Sequence, residues 1–408
     1  MKRLLAVLLS VAMIFVFAAC NNTNEPSDEN RGENNTGDTS AAELVIGGIG
    51  PVTGGAASYG TAVRNGAELA VAEINAAGGI NGMQIKFLFE DDEHNPEKAV
   101  SAYNTLMDEG MQVLMGTVTS APCTAVAAET FKDNVFQLTP SGSAVECIAN
   151  PNAFRVCFSD PNQGAASAQY IKEHDIASKV AVIYDSSDIY STGIYETFAS
   201  KSAELGLEIV AAEAFSADSK TDFSVQLNKI KESGAELVFL PIYYQEASLI
   251  LTQAQGILEN MQYFGCDGLD GVIDQLGENV AIAEGVMLLT PFAADAEDEK
   301  TQKFTAAYKE MFNGETPIQF AADAYDAMYI IKAAIEKAGI TDASIGHSEL
   351  CDAMVAAMTE IEVAGVTGTM TWDASGEPTK EPKAMKIVVN EVTDEEGNTV
   401  LVGSYTAM

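Results

Sequence analysis

The sequence has little positive charge: 22 Lys and Arg stand against 59 Asp and Glu, for a formal net charge of −37. The acid is spread along the chain rather than gathered in one block, so it reads as solvated surface. Such a chain repels the phosphate backbone of nucleic acid and an anionic membrane surface, and neither is expected as its main partner. Histidine is scarcer still. His94, His174 and His347 are scattered without the spacing of metal ligands, and no G-x-S-x-G nucleophile elbow accompanies them. Gly48-Ile49-Gly50 opens like a dinucleotide loop, but Pro51 follows and the third glycine of G-x-G-x-x-G is missing. An enzyme is therefore disfavoured, and neither a cofactor nor a metal is called for. Beyond residue 19 there is also no apolar run near the ~20 residues that a membrane helix needs.

The amino terminus carries the first positive signal. Lys2 and Arg3 precede an apolar run over 4–17, and Ala18-Ala19-Cys20 follows, the charged, apolar, small order of a secretory signal peptide at 1–19. Cys20 after two small residues resembles the lipobox of bacterial lipoproteins, in which the thiol takes a diacylglycerol; Phe17 stands where that motif usually has Leu. Residues 21–40 hold no aliphatic or aromatic side chain, so they cannot bury enough apolar surface to offset their ordering entropy. The stretch 20–42 thus reads as a lipidated, disordered tether that holds a folded body at the outer face of the membrane.

That body, within 408 residues of 47% hydrophobic content, is long enough for two domains. Short apolar runs alternate with helical patterns. Strands are expected near 44–49, 85–89, 112–115, 135–138, 179–184, 209–215, 237–242 and 285–289, and helices near 121–131, 162–174, 192–205, 222–233 and 244–258. Two earlier helices complete the series: one carries Val63, Ala67, Ala70, Val71 and Ile74 on a single stripe, and the other opens at Asn95-Pro96. Such alternation implies α/β architecture with parallel sheets covered by helices on both faces. Two long helical patterns, 298–313 and 318–337, precede strand-like runs at 366–372, 384–390 and 399–405, the last two flanking a turn-rich loop at 394–398. Without Cys20, five cysteines remain, an odd number for an exported protein. Cys147 and Cys157 are close enough in sequence to bridge a short loop, and five buried free thiols are the alternative.

Ligands of parallel α/β sheets sit beyond the carboxyl ends of the strands, where loops lead into helix N-termini. Strand 112–115 runs into Gly116-Thr117-Val118-Thr119-Ser120, and strand 135–138 runs into Thr139-Pro140-Ser141-Gly142-Ser143. Both loops offer hydroxyl and N–H donors suited to a carboxylate. Strand 179–184 leads to Asp185 and Tyr190, strand 237–242 to Tyr243, and Phe264-Gly265-Cys266 to Asp267-Gly268. An acid facing a set of donors is what the two ends of a zwitterionic amino acid require, which makes Asp267 the candidate partner of an ammonium group. Its alternative role is a turn residue before Gly268.

Gly50-Pro51-Val52-Thr53-Gly54 with Tyr59-Gly60, the run Ala72-Glu73-Ile74-Asn75-Ala76-Ala77-Gly78-Gly79-Ile80-Asn81-Gly82, and Asp91-Asp92 with Asn95-Pro96 resemble the leucine/isoleucine/valine-binding family of solute-binding proteins that serve ABC importers. The likeness covers nearly all of 43–408. It implies the type I periplasmic-binding-protein fold: two doubly wound parallel-sheet lobes joined by a three-strand hinge, with 43–158 and 291–369 in the N-terminal lobe and 159–290 and 370–408 in the C-terminal lobe. It implies a monomer that holds an amino acid between closing lobes and passes it to an ABC permease. By the same resemblance Ser120, Ser141 and Ser143 bind the carboxylate, Tyr59, Tyr190 and Tyr243 line the cleft, Asp267 pairs with the ammonium, and Trp372 falls near the third crossover. Tyr190-Ser191 replaces the family's Tyr-Gly, and His94 and Thr119 occupy the positions of a cysteine bridge found in some relatives.

The same frame fits other amides and small organic acids, although Val118 and the tyrosines favour an apolar side chain. A sensory module of this fold is the other rival; receptors of that kind continue into a membrane span, and the residues up to Met408 hold none, which favours transport. The lipobox reading yields a direct test. Cys20→Ala should move the protein from the membrane fraction to the soluble fraction or the medium on cell fractionation, and full retention at the membrane would refute it.

Overall fold

The computed structural model describes residues 43–380, 382–393 and 397–408. The stretches expected to be a signal peptide, 1–19, and a lipidated tether, 20–42 with Cys20, lie outside the described residues, as do 394–396 of the acidic loop. The first sheet is built from β1 (Leu44–Gly50), β2 (Ile85–Asp91), β3 (Val113–Gly116), β4 (Phe136–Thr139) and β5 (Ala153–Arg155), all parallel in the order β2-β1-β3-β4-β5. β1 is buried along nearly its whole length, as a strand covered on both faces must be. Its Leu44 and Ile46 face α1 (Ala57–Ala76), while Ile49 faces α2 (Pro96–Asp108) and α3 (Ser120–Asp133). α2 starts where the sequence indicates: the Asn95 side chain accepts from the N–H groups of Glu97 at 2.9 Å and Lys98 at 3.0 Å, and Pro96 takes the first helical position.

The second sheet repeats the scheme. β6 (Lys179–Asp185), β7 (Glu208–Phe215), β8 (Leu237–Leu240), β9 (Gln262–Gly265) and β10 (Met287–Thr290) are parallel, and β13 (Lys383–Thr393) and β14 (Thr399–Ala407) add antiparallel, giving β14-β13-β10-β9-β8-β6-β7. α4 (Asp160–Glu173) and α5 (Ile189–Leu205) cover one face with Ile171, Ile194 and Phe198; α6 (Ser224–Ser233) and α7 (Tyr244–Ala254) cover the other with Leu227, Ile230 and Leu251. A single-turn helix, α8 (Val272–Leu276), sits between β9 and β10.

After β10 the chain returns to the first sheet. α9 (Glu299–Met311) and α10 (Gln319–Ala338) pack on α1, and α11 (His347–Met358) packs on α10 and β4. It then goes back through the short pair β11 (Val363–Ala364) and β12 (Thr369–Met370) to reach β13. The chain therefore passes between the two layered assemblies three times, after β5, after β10 and before β13. A buried ion pair fixes the last passage to α10: Lys380 Nζ lies 2.6 Å from Asp323 Oδ1 and donates to Thr367 Oγ1 at 2.8 Å.

Several expectations are corrected. The run 366–372 is not a strand beyond the two residues of β12, because Asp326 accepts from the N–H groups of Val366 at 2.7 Å and Thr367 at 2.8 Å and bends the chain around its carboxylate. β5, β9 and α11 are additional elements. The five cysteines of the described body are all free and buried, and Cys147 and Cys157 do not pair. Cys147 packs instead with Cys123, Ala144, Ile148 and Ala153, its thiol 3.6 Å from the Ser120 carbonyl.

The contact of α1 with α10 depends on Gly66, where a Cβ would come within 2.1 Å of the Ala321 carbonyl oxygen. Gly66→Val should force the two helices apart and cost about 1–3 kcal/mol, read as a lowered urea midpoint. An unchanged midpoint would show that the helices are not in close register.

Candidate functional site

Both sheets have the strand order in which ligands bind at the carboxyl edge beside the first strand, and the two carboxyl edges face each other. The seven residues singled out from the sequence, Tyr59, Ser120, Ser141, Ser143, Tyr190, Tyr243 and Asp267, line one space there, together with Val118, Thr119, Gly268 and Phe320. The cavity left between them is only about 10 Å³, so the walls nearly fill the space and must part to admit a ligand. A larger hollow of about 610 Å³ lies beside β14 and α8, but it brings no such set of donors opposite an acid.

On the first-sheet side the loops after β3 and β4 are tied to each other. Thr139 Oγ1 donates to the Thr117 carbonyl at 2.6 Å and accepts the Gly142 N–H at 2.7 Å. Ser141 Oγ donates to the Val118 carbonyl at 2.7 Å, so its proton is already committed. Ser120 Oγ accepts the Ala144 N–H at 3.2 Å, which leaves its O–H free to donate from the first turn of α3. Ser143 Oγ is buried beside the Asp160 carboxylate, which burial holds well above the usual carboxylate range against the pull of the Ser143 hydroxyl. Of the three hydroxyls, Ser120 has its proton free for a carboxylate, Ser143 is shared with Asp160, and Ser141 serves the loop.

The second-sheet side holds the acid. Asp267 is 4% exposed, and its Oδ1 accepts from the Tyr190 hydroxyl at 2.7 Å. Tyr190 Oη in turn accepts the Gly268 N–H at 2.9 Å, and the Asp267 N–H donates to Gln163 Oε1 at 3.1 Å. Burial pushes the Asp267 carboxyl up to about 7, against the pull of the Tyr190 and Gln163 hydrogen bonds, so it is a carboxylate short of a cation. At Gly268 a Cβ would lie 2.6 Å from Tyr190 Oη and 2.7 Å from the Ile242 carbonyl oxygen, so only glycine lets the acid and the tyrosine approach.

Aromatic rings close the space between. Tyr59 stacks on Phe320 at 4.0 Å and meets Tyr243 edge-on at 5.5 Å, and Tyr243 stacks on Tyr190 at 4.9 Å. The Tyr59 hydroxyl donates to the Gly268 carbonyl at 2.5 Å and accepts the Tyr244 N–H at 3.1 Å, so one side chain of α1 spans to the second sheet. His94 and Thr119 make a hydrogen bond, Nδ1 to Oγ1 at 2.9 Å, and the His94 ring meets Tyr243 edge-on. Burial and the Lys220 charge lower His94 to about 4, which keeps it neutral. Phe320 and Tyr244 are the contributors that sequence reasoning missed. Tyr244 adjoins a residue already singled out, whereas Phe320 enters only because α10 returns to the first sheet.

Donors on one wall, an acid on the other and aromatic rings between them complement a small zwitterion with an apolar body. Among the described residues no group of three His, Cys, Asp or Glu is placed to hold a metal ion.

A family model described as periplasmic binding protein matches residues 43–389. The chain is 31% identical over 340 residues to a Leu/Ile/Val-binding protein homolog of Brucella melitensis, covering 82% of this chain and 89% of that one. It is 31% identical over 300 residues to the leucine-, isoleucine-, valine-, threonine- and alanine-binding protein of Pseudomonas aeruginosa, covering 72% and 78%. Among solved structures, the branched-chain amino acid transporter substrate-binding protein LivJ of Streptococcus pneumoniae, in complex with isoleucine, superposes with a TM-score of 0.76 at 28% identity, over 90% of this chain and 100% of that one. A Rhodopseudomonas palustris solute-binding protein in complex with benzoate has a TM-score of 0.75 at 21% identity, over 90% and 97%, a likeness of fold alone.

The raised Asp267 carboxyl has a consequence for stability. A group held near 7 against 3.8 when free adds stability that is fully present below 3.8 and lost as pH rises through about 7. Asn cannot ionise. Ligand-free Asp267→Asn should therefore melt a few degrees above the parent at pH 8, with the gap closing towards pH 5. Equal shifts at both values would show that the carboxylate carries no desolvation cost.

Proposed function

This chain belongs to the leucine/isoleucine/valine-binding branch of the periplasmic binding proteins, and on that footing we propose that it captures a branched-chain or other aliphatic amino acid outside the cytoplasm for an ABC importer. The observation that carries the reading is Asp267, buried and without a cation, across the space from the free hydroxyl proton of Ser120. Ser120, Ser143 and the loop that Ser141 pins take the ligand carboxylate. Asp267, oriented by Tyr190, takes the ammonium. Val118, Tyr59, Tyr243 and Phe320 surround the aliphatic side chain. A benzoate-like acid would fill the donor side and leave Asp267 unpaired, so the site favours an amino acid over a simple organic acid.

The remaining parts of the proposal follow the chain. Lobes 43–158 with 291–369 and 159–290 with 370–408 close on the three passages, and Tyr59 latches the closed state through Gly268 and Tyr244. A signal peptide at 1–19 exports the protein, a lipid on Cys20 holds it at the membrane, and it meets the permease as a monomer.

Thermal melting against L-leucine, L-isoleucine, L-valine and benzoate tests this, since a ligand at 100 times its dissociation constant stabilises by about 2.7 kcal/mol. We expect the amino acids to raise the melting temperature and benzoate to leave it unchanged. By calorimetry Asp267→Ala should weaken amino-acid binding by about 2–5 kcal/mol, and Ser143→Ala by about 1.5–3 kcal/mol. A folded Asp267→Ala that binds within about threefold of the parent, a difference near 0.7 kcal/mol, would overturn the ammonium assignment.

A further inference from the structure

Arg155 is the largest fully buried side chain of the protein's described core and stands at the end of β5, directly behind the loop 141–143. Its Nη1 donates to two successive carbonyls of that loop, Gly142 at 3.2 Å and Ser143 by a shorter bond. Its Nε lies 3.1 Å from Glu377 Oε2, on the third passage of the chain. The backbone of Arg155 is held by the same passage: its N–H donates to the Gly376 carbonyl at 3.2 Å, and its carbonyl accepts from Trp372 Nε1 at 2.8 Å. The Ser143 carbonyl is shared with the Asp160 N–H at 3.0 Å, from the first turn of α4.

A buried cation costs desolvation that one ion pair seldom repays, so its place in the fold calls for another reason. The geometry offers one. Two adjacent peptide carbonyls are drawn towards the guanidinium, which takes their negative ends off the path of an incoming carboxylate. The guanidinium also sets a fixed positive charge behind the loop, where low dielectric leaves it little screened and it offsets the buried Asp160 carboxylate beside Ser143. Its planar fork reaches two carbonyls and a carboxylate together, which the single ammonium of lysine does not reproduce in the same plane.

We propose that Arg155 is a positioning residue for ligand capture: it orients the 142–143 peptides towards the ligand carboxylate and, through Glu377, ties that loop to the third passage between the lobes. The proposal rests on the amino-acid reading above, and its test separates the two. L-leucine and L-leucinamide share side chain and ammonium and differ in the carboxylate. Arg155→Gln and Arg155→Lys should each weaken L-leucine by about 10- to 100-fold, the loss of a charge-assisted contact, while L-leucinamide changes by less than about threefold. Glu377→Gln, at a partly exposed position, should give a smaller loss in the same direction. Equal weakening of both ligands would make Arg155 a merely structural residue and overturn the proposal.

Amide hydrogen exchange in the ligand-free protein supplies a readout that needs no ligand. Peptides covering 140–146 should exchange faster in Arg155→Lys than in the parent, while peptides in α10 stay unchanged. Unchanged exchange at 140–146 refutes the orienting role even if leucine binding falls. If the parent binds no amino acid while exchange at 140–146 rises in the variant, the ligand reading fails and the positioning role stands.

Discussion

Parallel strands leave all their helix-leading loops at one end, and here two such ends are turned towards each other. Every feature of the site follows from that constraint. The loops after β3 and β4 bring free donors and helix N-termini, those after β6, β8 and β9 bring tyrosines and an acid, and neither set is complete alone. The Tyr59 hydroxyl, held between the Gly268 carbonyl and the Tyr244 N–H, joins the two ends across the space. So do Gln319 of α10, bonded to the Asp267 carbonyl at 3.0 Å and to Asp270 at 2.7 Å, and the Ser58 N–H, bonded to the Tyr244 hydroxyl at 3.3 Å. A bond of that kind forms only when both ends are brought together, so it serves closure rather than the folding of either sheet.

Buried charge is treated in three ways along the interface. Asp323 and Lys380 neutralise each other at 2.6 Å and fasten the last passage to α10. Arg155 is balanced by Glu377 and by backbone carbonyls, and so can act on the loop beside it. Asp267 has hydrogen-bond donors and no cation, and its carboxyl is pushed up accordingly. Asp323 and Lys380 satisfy each other, whereas among the described residues Asp267 lacks a cation and the buried Asp160 beside Ser143 lacks an ion-pair partner too.

The motifs that carry the family resemblance turn out to be mostly architectural. Asp91 accepts from the Val52 N–H at 3.0 Å and from Thr53 Oγ1 at 2.6 Å, which ties the Gly50–Gly54 loop to the end of β2. Asn75 exchanges two hydrogen bonds with Ile85, at 2.8 and 2.9 Å, fixing the end of α1 to the start of β2. His94 and Thr119 meet in a hydrogen bond at the positions where some relatives carry a cysteine bridge, so the loops after β2 and β3 stay linked by other chemistry.

By itself the sequence determined the alternation of strands and helices, since apolar period and caps such as Asn95-Pro96 are local, and it determined which loops end in hydroxyls, tyrosines and an acid. The apolar spacing of Leu350, Cys351, Met354 and Met358 in α11 was equally readable, whereas three residues of β5 are too short to show a period. Only the tertiary structure decided the rest. Where each serine sends its proton depends on the group it meets, so Ser141 goes to the Val118 carbonyl and Ser143 to the Asp160 carboxylate although they are two residues apart. Cys147 faces Cys123 and its neighbours rather than Cys157, because packing, not nearness in sequence, sets thiol contacts. Phe320 and Arg155 act on the site from distant stretches of chain, through the return of α10 and the third passage, and pairings between segments so far apart leave no mark in any local pattern.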